Sequence, residues 1–223
     1  MKRIAILYTV KSVLASFEQQ LREAYQGELT VHNLLDEFLA SDANLRGSFT
    51  KINLNRLFND LQSLEWTGAE LIVVTCSTLT PWVEKLRSMI NVPVIAIDDE
   101  MARQAVTYGE KLTIMATAQS TVEPTRRKLL TEAQEAGKSL SISTLVCDEA
   151  YDAIRKLDAD THDRLLKEQA LQIKNQNVVV LAQASMAHLE PEIQKICGCP
   201  VLSTPSRCIA QVVRLLSEGE STL

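Results

Sequence analysis

Along this chain, short runs that are apolar throughout alternate with longer stretches in which apolar residues recur at helical spacing. Residues 4–8, 71–74, 92–97 and 177–182 are runs of strand length with little or no polar face, the pattern of parallel strands buried on both sides. Residues 29–35, 111–117, 140–146 and 200–203 read as four further strands. Between them, Val13, Leu14, Phe17, Leu21 and Ala24 form one amphipathic stripe, and Leu54, Leu57, Phe58, Leu61 and Leu64 form another. Helices are also expected over 81–89, 101–107, 120–137, 148–157, 160–174, 190–196 and 209–216. Gly27 is expected to end the first helix, and Gly47 to interrupt the stretch that starts at Asp36-Glu37. Thr80 reads as an N-cap with Pro81 at the first helical position, and Ser120 with Glu123 as a capping box. Strands alternating with helices predict an α/β fold with mostly parallel sheets.

The second half of the pattern repeats the first. Residues 6–12 (ILYTVKS) align with 114–120 (IMATAQS), which pairs Thr9 with Thr117 and Ser12 with Ser120 at an offset of 108. Residues 72–78 (IVVTCST) align with 179–185 (VVLAQAS), which pairs Cys76 with Gln183 at an offset of 107. The Val-Pro-Val at 92–94 aligns with Cys-Pro-Val at 199–201, again 107 apart. A unit of half the chain implies two pseudo-symmetric lobes rather than a solenoid. Each lobe is expected to be a mostly parallel four-stranded sheet flanked by helices. The first would span 1–98 with a closing helix at about 207–217, and the second 99–206.

Composition narrows the function classes. The chain has 223 residues, 46% apolar and 23% charged, with a net charge of −5, which describes a soluble globular protein with an ample core. There is no basic stripe with interleaved aromatics, so nucleic acid is not an expected partner. The apolar run after Met1-Lys2-Arg3 is too short for a signal peptide or a membrane span, and a cytoplasmic location is expected. Five cysteines, an odd count, do not suggest a disulfide framework. Seven glycines form no phosphate loop, and no nucleotide or dinucleotide cofactor is expected.

The candidate chemistry gathers at strand ends. Cys76 follows an apolar strand and precedes Ser77, Thr78 and a helix start, so it should stand at the carboxyl end of a parallel sheet, where ligands bind. Helix-start N–H groups there favour a thiolate; the plainer alternative is a buried structural cysteine. With the lobes facing each other, Thr9, Ser12, Cys76, Ser77 and Thr78 would line one side of an interlobe cleft, and Thr117, Ser120, Gln183, Ala184 and Ser185 the other. Such a lining, small and rich in hydroxyls, suits a small carboxylate.

These residues resemble the aspartate/glutamate/hydantoin racemase superfamily over nearly the whole chain. Cys76-Ser77-Thr78 matches the family's first cysteine motif. Ala116-Thr117 resembles its Ala-Thr pair, and Thr9 falls where the first strand's polar residue belongs. The resemblance implies a cofactor-independent isomerase acting next to a substrate carboxylate, and a homodimer. It also implies Cys76 as base or nucleophile, Gln183 orienting the reacting group, and Ser77, Thr78, Thr117, Ala184 and Ser185 holding the carboxylate. In the family a second cysteine stands where this chain has Gln183. Two-base racemisation needs an acid–base group on each face of the α-carbon, and a carboxamide cannot transfer a proton as a thiol does. Decarboxylation, isomerisation or lyase chemistry on one thiol, or a non-catalytic anion-binding role, are the alternatives.

Several other residues have two readings each. His188 is either a second acid–base group or a surface residue. Lys11 either tunes the thiol and binds carboxylate or is solvated. Asp98 or Glu100 either reaches the cleft or begins a helix, and Arg207 either holds a distal carboxylate or is a solvated residue at a helix start. Trp66 and Trp82 read as packing residues. Cys197, Cys199 and Cys208 lack the paired spacing of a zinc site, so no metal is expected. Cys76 has Trp82, not arginine, six positions on, which does not fit a phosphatase loop.

Overall fold

A computed structural model of the chain describes residues 1–218. It divides into two compact units, one made of Met1–Ile97 together with the chain from Pro205 on, the other of Asp98–Thr204. The first contains β1 (Lys2–Tyr8), α1 (Lys11–Ala24), β2 (Leu29–Leu35), α2 (Glu37–Arg46), α3 (Lys51–Glu65), β3 (Leu71–Val74), α4 (Thr80–Leu86) and β4 (Val94–Ala96). The second contains α5 (Asp99–Tyr108), β5 (Lys111–Ala116), α6 (Gln119–Glu135), β6 (Ser141–Val146), α7 (Asp148–Arg155), α8 (Ala159–Ala170), β7 (Val178–Leu181), α9 (Glu190–Cys197) and β8 (Val201–Leu202). Helix α10 (Thr204–Glu218) follows and belongs, from Pro205, to the first unit.

Each unit is a four-stranded sheet, in the order β2-β1-β3-β4 or β6-β5-β7-β8, and every pairing is parallel. Side chains alternate between two apolar layers. In the first unit Ala5, Leu7, Ile72 and Val74 pack with Leu57 and Leu61 of α3. The residues between them, Ile4, Ile6, Leu71 and Val73, pack with Phe17 and Leu21 of α1 and with Cys208, Ile209, Val212 and Leu216 of α10. In the second unit Leu112, Ile114, Val178 and Val180 face Met101, Ala105 and Leu129, while Met115, Val179 and Leu181 face Leu166, Ala170 and Ile193. Helices on both faces explain why these strands are apolar throughout rather than alternating.

The repeat reaches the hydrogen-bond ladders. Ile4 registers with Leu71 in one sheet, and Leu112 with Val178 in the other. Ile72 N–H donates to Pro93 O at 2.9 Å, and Val179 N–H to Pro200 O at 2.9 Å. The strand exits match too: Thr75 N–H donates to Leu7 O at 3.0 Å, and Ala182 N–H to Met115 O at 2.9 Å.

Helix boundaries depart from expectation in three places. Thr80 lies inside α4 rather than capping it, because a single 3₁₀ turn, Ser77–Leu79, starts the turn of chain early and Leu79 becomes the N-cap. Ser120 lies inside α6, whose N-cap is Ala118 without a side-chain bond, so there is no capping box with Glu123. The first helix ends at Ala24 with Tyr25 extended, not on a left-handed glycine. A Cβ at Gly27 would sit 2.8 Å from the Tyr25 ring, so a larger residue there would have to displace that ring. Trp66, read as a packing residue, caps α3 with 77% of its surface exposed, whereas Trp82 stacks on Phe49 at 4.9 Å between ring centroids.

Candidate functional site

In the first unit, the central strands β1 and β3 deliver Thr9 and Cys76 to the same carboxyl edge. Thr75 fixes the exit from β3, since both its N–H and its hydroxyl donate to Leu7 O, at 3.0 and 3.1 Å. Cys76 is extended (φ −138°, ψ 112°), and the 3₁₀ turn after it closes with Leu79 N–H on Cys76 O at 2.9 Å. This geometry brings the N–H groups of Thr78 and Leu79 and the hydroxyls of Thr78 and Thr9 to the sulfur. Burial pushes the Cys76 thiol up, and those four donors pull the other way without overcoming it. The expected activation by helix-start N–H groups is therefore present in its parts but outweighed at rest: Cys76 stands as a neutral thiol in a partly exposed residue. Thr9 Oγ1 is buried and makes no conventional hydrogen bond, which fits a donor whose acceptor is the thiolate, since a neutral sulfur accepts weakly.

The second unit carries the same pair of positions with different chemistry. Gln183 is extended (φ −138°, ψ 140°) at the end of β7, and Thr117 is fully buried at the end of β5. Thr117 N–H donates to Gln183 Oε1 at 2.6 Å, and Gln183 Nε2 donates to Thr117 Oγ1 at 2.7 Å. A backbone N–H can only donate, so the carboxamide orientation is fixed by the bond itself. Gln183 thus occupies the donor that the end of β5 would offer an anion, and it has no proton to give or take as a base. The 3₁₀ turn that follows, Ala184–Leu189, is three residues longer than its counterpart and carries Ala187 and His188.

The remaining candidates separate. Ser77 and Thr78 share the partly exposed turn after Cys76, while Ala184 is partly exposed and Ser185 exposed in the turn after Gln183. Ser12 and Ser120 lie exposed in the first turns of α1 and α6. Lys11 pairs at 3.9 Å with Glu37, both well exposed. His188 Nε2 binds Asp163 Oδ2 of α8 at 2.8 Å, and the other oxygen binds His162 Nδ1 at 2.7 Å. Burial alone would raise the Asp163 carboxyl, but these two imidazole bonds hold it below its ordinary range. The acidic run after β4 is helix start: Asp98 is fully buried, Asp99 pairs with Lys128 at 2.9 Å, and Glu100 binds Arg103 at 2.5 Å and Gln104 at 2.8 Å. Arg207 lies in the first turn of α10.

Sequence reasoning missed two carboxylate sites. Glu190 Oε2 accepts from both the N–H and the hydroxyl of Ser203, at 3.0 and 2.6 Å, and so anchors the carboxyl end of β8. Asp36, at the carboxyl end of β2, accepts from Phe38 N–H at 3.1 Å and from Arg56 Nε, and faces Asp60 of α3. Burial first, then the bond to Asp36 and its charge, push the Asp60 carboxyl up to about 7 against the pull of Arg56. Helix positions with ordinary spacing gave no signal for either. Among the described residues no group of three or more His, Cys, Asp or Glu is placed to hold a metal ion, and no helix is long and apolar enough to cross a membrane.

Comparison with known proteins bears on the family. No curated protein sequence matches the chain. Among solved structures, a protein of Yersinia pestis described as an Asp/Glu racemase superposes with a TM-score of 0.72 at 17% identity, covering 96% of this chain and 99% of that one. Glutamate racemase from Bacillus anthracis gives 0.70 at 15% identity, covering 98% and 82%. Arylmalonate decarboxylase gives 0.57 at 14% identity, covering 96% and 92%. At such identities the likeness shows the fold. The sequence match is more specific: residues 8–212 fit the model of the Asp/Glu/hydantoin racemase family. With that match spanning most of a chain built of two parallel four-stranded α/β units, the chain belongs to the Asp/Glu/hydantoin racemase family.

Proposed function

We propose that this chain is a cofactor-independent enzyme of the isomerase type that moves a proton at the carbon next to the carboxylate of a small substrate, with Cys76 as its single thiol. The observation that carries the reading is the set of donors around Cys76: the N–H groups of Thr78 and Leu79 and the hydroxyls of Thr9 and Thr78. Leu79 N–H also closes the turn on Cys76 O, but as a set these donors have little to do around a neutral thiol and much to do around a thiolate. The thiolate removes the α-proton, leaving a planar enediolate, and the thiol so formed returns a proton; inversion results when the enediolate has turned its other face to that one thiol, and otherwise the proton is only exchanged. Gln183, held by Thr117 in two hydrogen bonds, orients rather than reacts.

A second reading has one observation in its favour. The resting thiol is protonated, which suits a group whose task is to deliver a proton. In a decarboxylation, loss of carbon dioxide leaves the enediolate, Cys76 protonates it, and the thiolate regains its proton from water. The fold likeness to arylmalonate decarboxylase is compatible with this alternative.

A panel of amino acids, dicarboxylates, hydantoins and malonates in deuterium oxide, followed by proton NMR, separates the readings. Isomerase chemistry exchanges the α-proton without loss of carbon, and decarboxylation places one deuterium in a shortened product. Cys76→Ala is expected to lower either rate by about 10³-fold, the usual scale of a proton-transfer group, while ligand binding largely survives. Undiminished exchange in that variant would overturn the assignment of Cys76.

A further inference from the structure

We propose that Cys197 and Cys199 form a redox-reversible dithiol, closed to an intramolecular disulfide by small-molecule disulfides of the glutathione type. The two residues bracket the turn between α9 and β8: Cys197 is the last residue of α9, Gly198 caps it, and Pro200 follows Cys199. Gly198 is left-handed, with φ 67° and ψ 19°. The Cα separation of residues i and i+2 is set by the residue between them. Helical values of either hand place them about 5.4 Å apart, from a radius of about 2.3 Å and a rise of about 1.5 Å per residue. Disulfides span Cα separations of about 4.4–6.8 Å, so the backbone meets this condition for a bridge, and both side chains pack against the same apolar layer. A Cβ on Gly198 would meet nothing within 4 Å, so glycine is required there by conformation and not by space.

The other three cysteines have other places. Cys147 and Cys208 are buried in separate cores, and Cys76 belongs to the site described above. Cys197 and Cys199 are both partly exposed, and all five thiols are free. Cys197 makes one weak bond, from Sγ to Ala170 O at 3.7 Å, which a bridge can give up at little cost. Burial, and then the charge of Cys199 when ionised, push the Cys197 thiol up to about 11, and burial pushes the Cys199 thiol up as well.

Two thiol–disulfide exchanges close the bridge. The Cys199 thiolate attacks a sulfur of the small disulfide, forming a mixed disulfide and expelling one thiolate. Cys197 loses its proton to water and attacks Cys199 Sγ, closing the bridge and expelling the second thiolate. The two protein thiols lose two electrons and two protons, and the small disulfide is reduced to two thiols. The ring is short and its loop gains little from chain entropy, so dithiol reductants reopen it readily.

The test uses the folded full chain, incubated with oxidised glutathione, alkylated with iodoacetamide and digested with trypsin. Cleavage after Lys195 and Arg207 yields a peptide of residues 196–207 that holds Cys197 and Cys199 and no other cysteine. The expected peptide is lighter by two hydrogens and unalkylated, and dithiothreitol treatment before alkylation restores two labelled cysteines. In Cys199→Ser the loss of two hydrogens disappears, and Cys197 is found alkylated or carrying one glutathionyl group. In Cys76→Ala the bridge still forms, so failure of the dithiol and failure of the proposed activity are told apart. Two alkylated cysteines after oxidation, a glutathionyl group on each, or a bridge from either to a different cysteine would overturn the proposal.

Discussion

At the scale of single residues, the two strand-end pairs show how one backbone carries two chemistries. Thr9 beside Cys76 and Thr117 beside Gln183 occupy matching positions, yet the second pair closes on itself through bonds of 2.6 and 2.7 Å while the first leaves a hydroxyl without a conventional partner. The offsets of 107 and 108 made both pairs legible in the sequence. The closed Gln183–Thr117 bond was not legible, since it depends on a side-chain rotamer, and neither was the direction in which Cys76 is displaced, since desolvation depends on what packs around it. If Thr9 serves the thiolate, Thr9→Val removes one donor and keeps the shape. The rate of Cys76 alkylation by iodoacetamide is then expected to rise at higher pH than in the parent. Turnover should fall roughly 10-fold, the effect of losing about 1.5 kcal/mol from a hydrogen bond to a charged group. An unchanged alkylation profile would assign Thr9 to packing alone.

At the scale of elements, the strands were readable because burial on both faces leaves unbroken apolar runs, and so was the start of α2 at Asp36-Glu37, whereas the caps expected at Thr80 and Ser120 were not found. The 3₁₀ turn after Cys76 and the uncapped start of α6 at Gln119 each displaced a cap that local sequence favoured, because the chain must turn immediately at the sheet edge. Where no strand precedes the helix, local rules held. Thr50 and Asn53 form a reciprocal capping box on α3, and Asn53 Nδ2 also donates to Asp42 of α2 at 3.1 Å. The junction of β2, α2 and α3 supplies a pH dependence through Asp60. Its carboxyl titrates at about 7 in the folded protein against an ordinary value of 3.8, so the native state keeps a proton that the unfolded chain has lost between those values. That contribution to stability is complete below about pH 4 and is lost as the pH rises through 7. Asp60→Asn keeps a donor toward Asp36 and cannot ionise. The variant is expected to unfold at higher urea than the parent at pH 8, with the gap narrowing at pH 5. A constant gap between the two pH values would remove Asp60 as its source.

At the scale of the whole molecule, the α/β class and the duplication could be read from the chain, because paired hydroxyls and prolines recur along with the strands. The strand order within each sheet could not, because adjacency between β1 and β3 is a property of the crossover and not of either run. The cores explain why the first unit is discontinuous: Cys208, Ile209, Val212 and Leu216 of α10 complete the layer formed by Ile4, Ile6 and Phe17. A fragment of residues 98–204 is therefore expected to unfold cooperatively in urea, while residues 1–97 alone should show weak helical circular dichroism and no sharp transition. A cooperative transition in the shorter fragment would show that α10 is dispensable. The same connectivity sets an order of events during synthesis. At roughly 5–20 residues per second, the 98–204 stretch takes on the order of 5–20 s to emerge from the ribosome. Throughout that interval Ile4, Ile6 and Phe17 lack the cover that α10 supplies, while each residue added completes the second unit. The half encoded first is thus the half finished last, and the time for which its apolar layer stands uncovered is set by the position of one helix, α10.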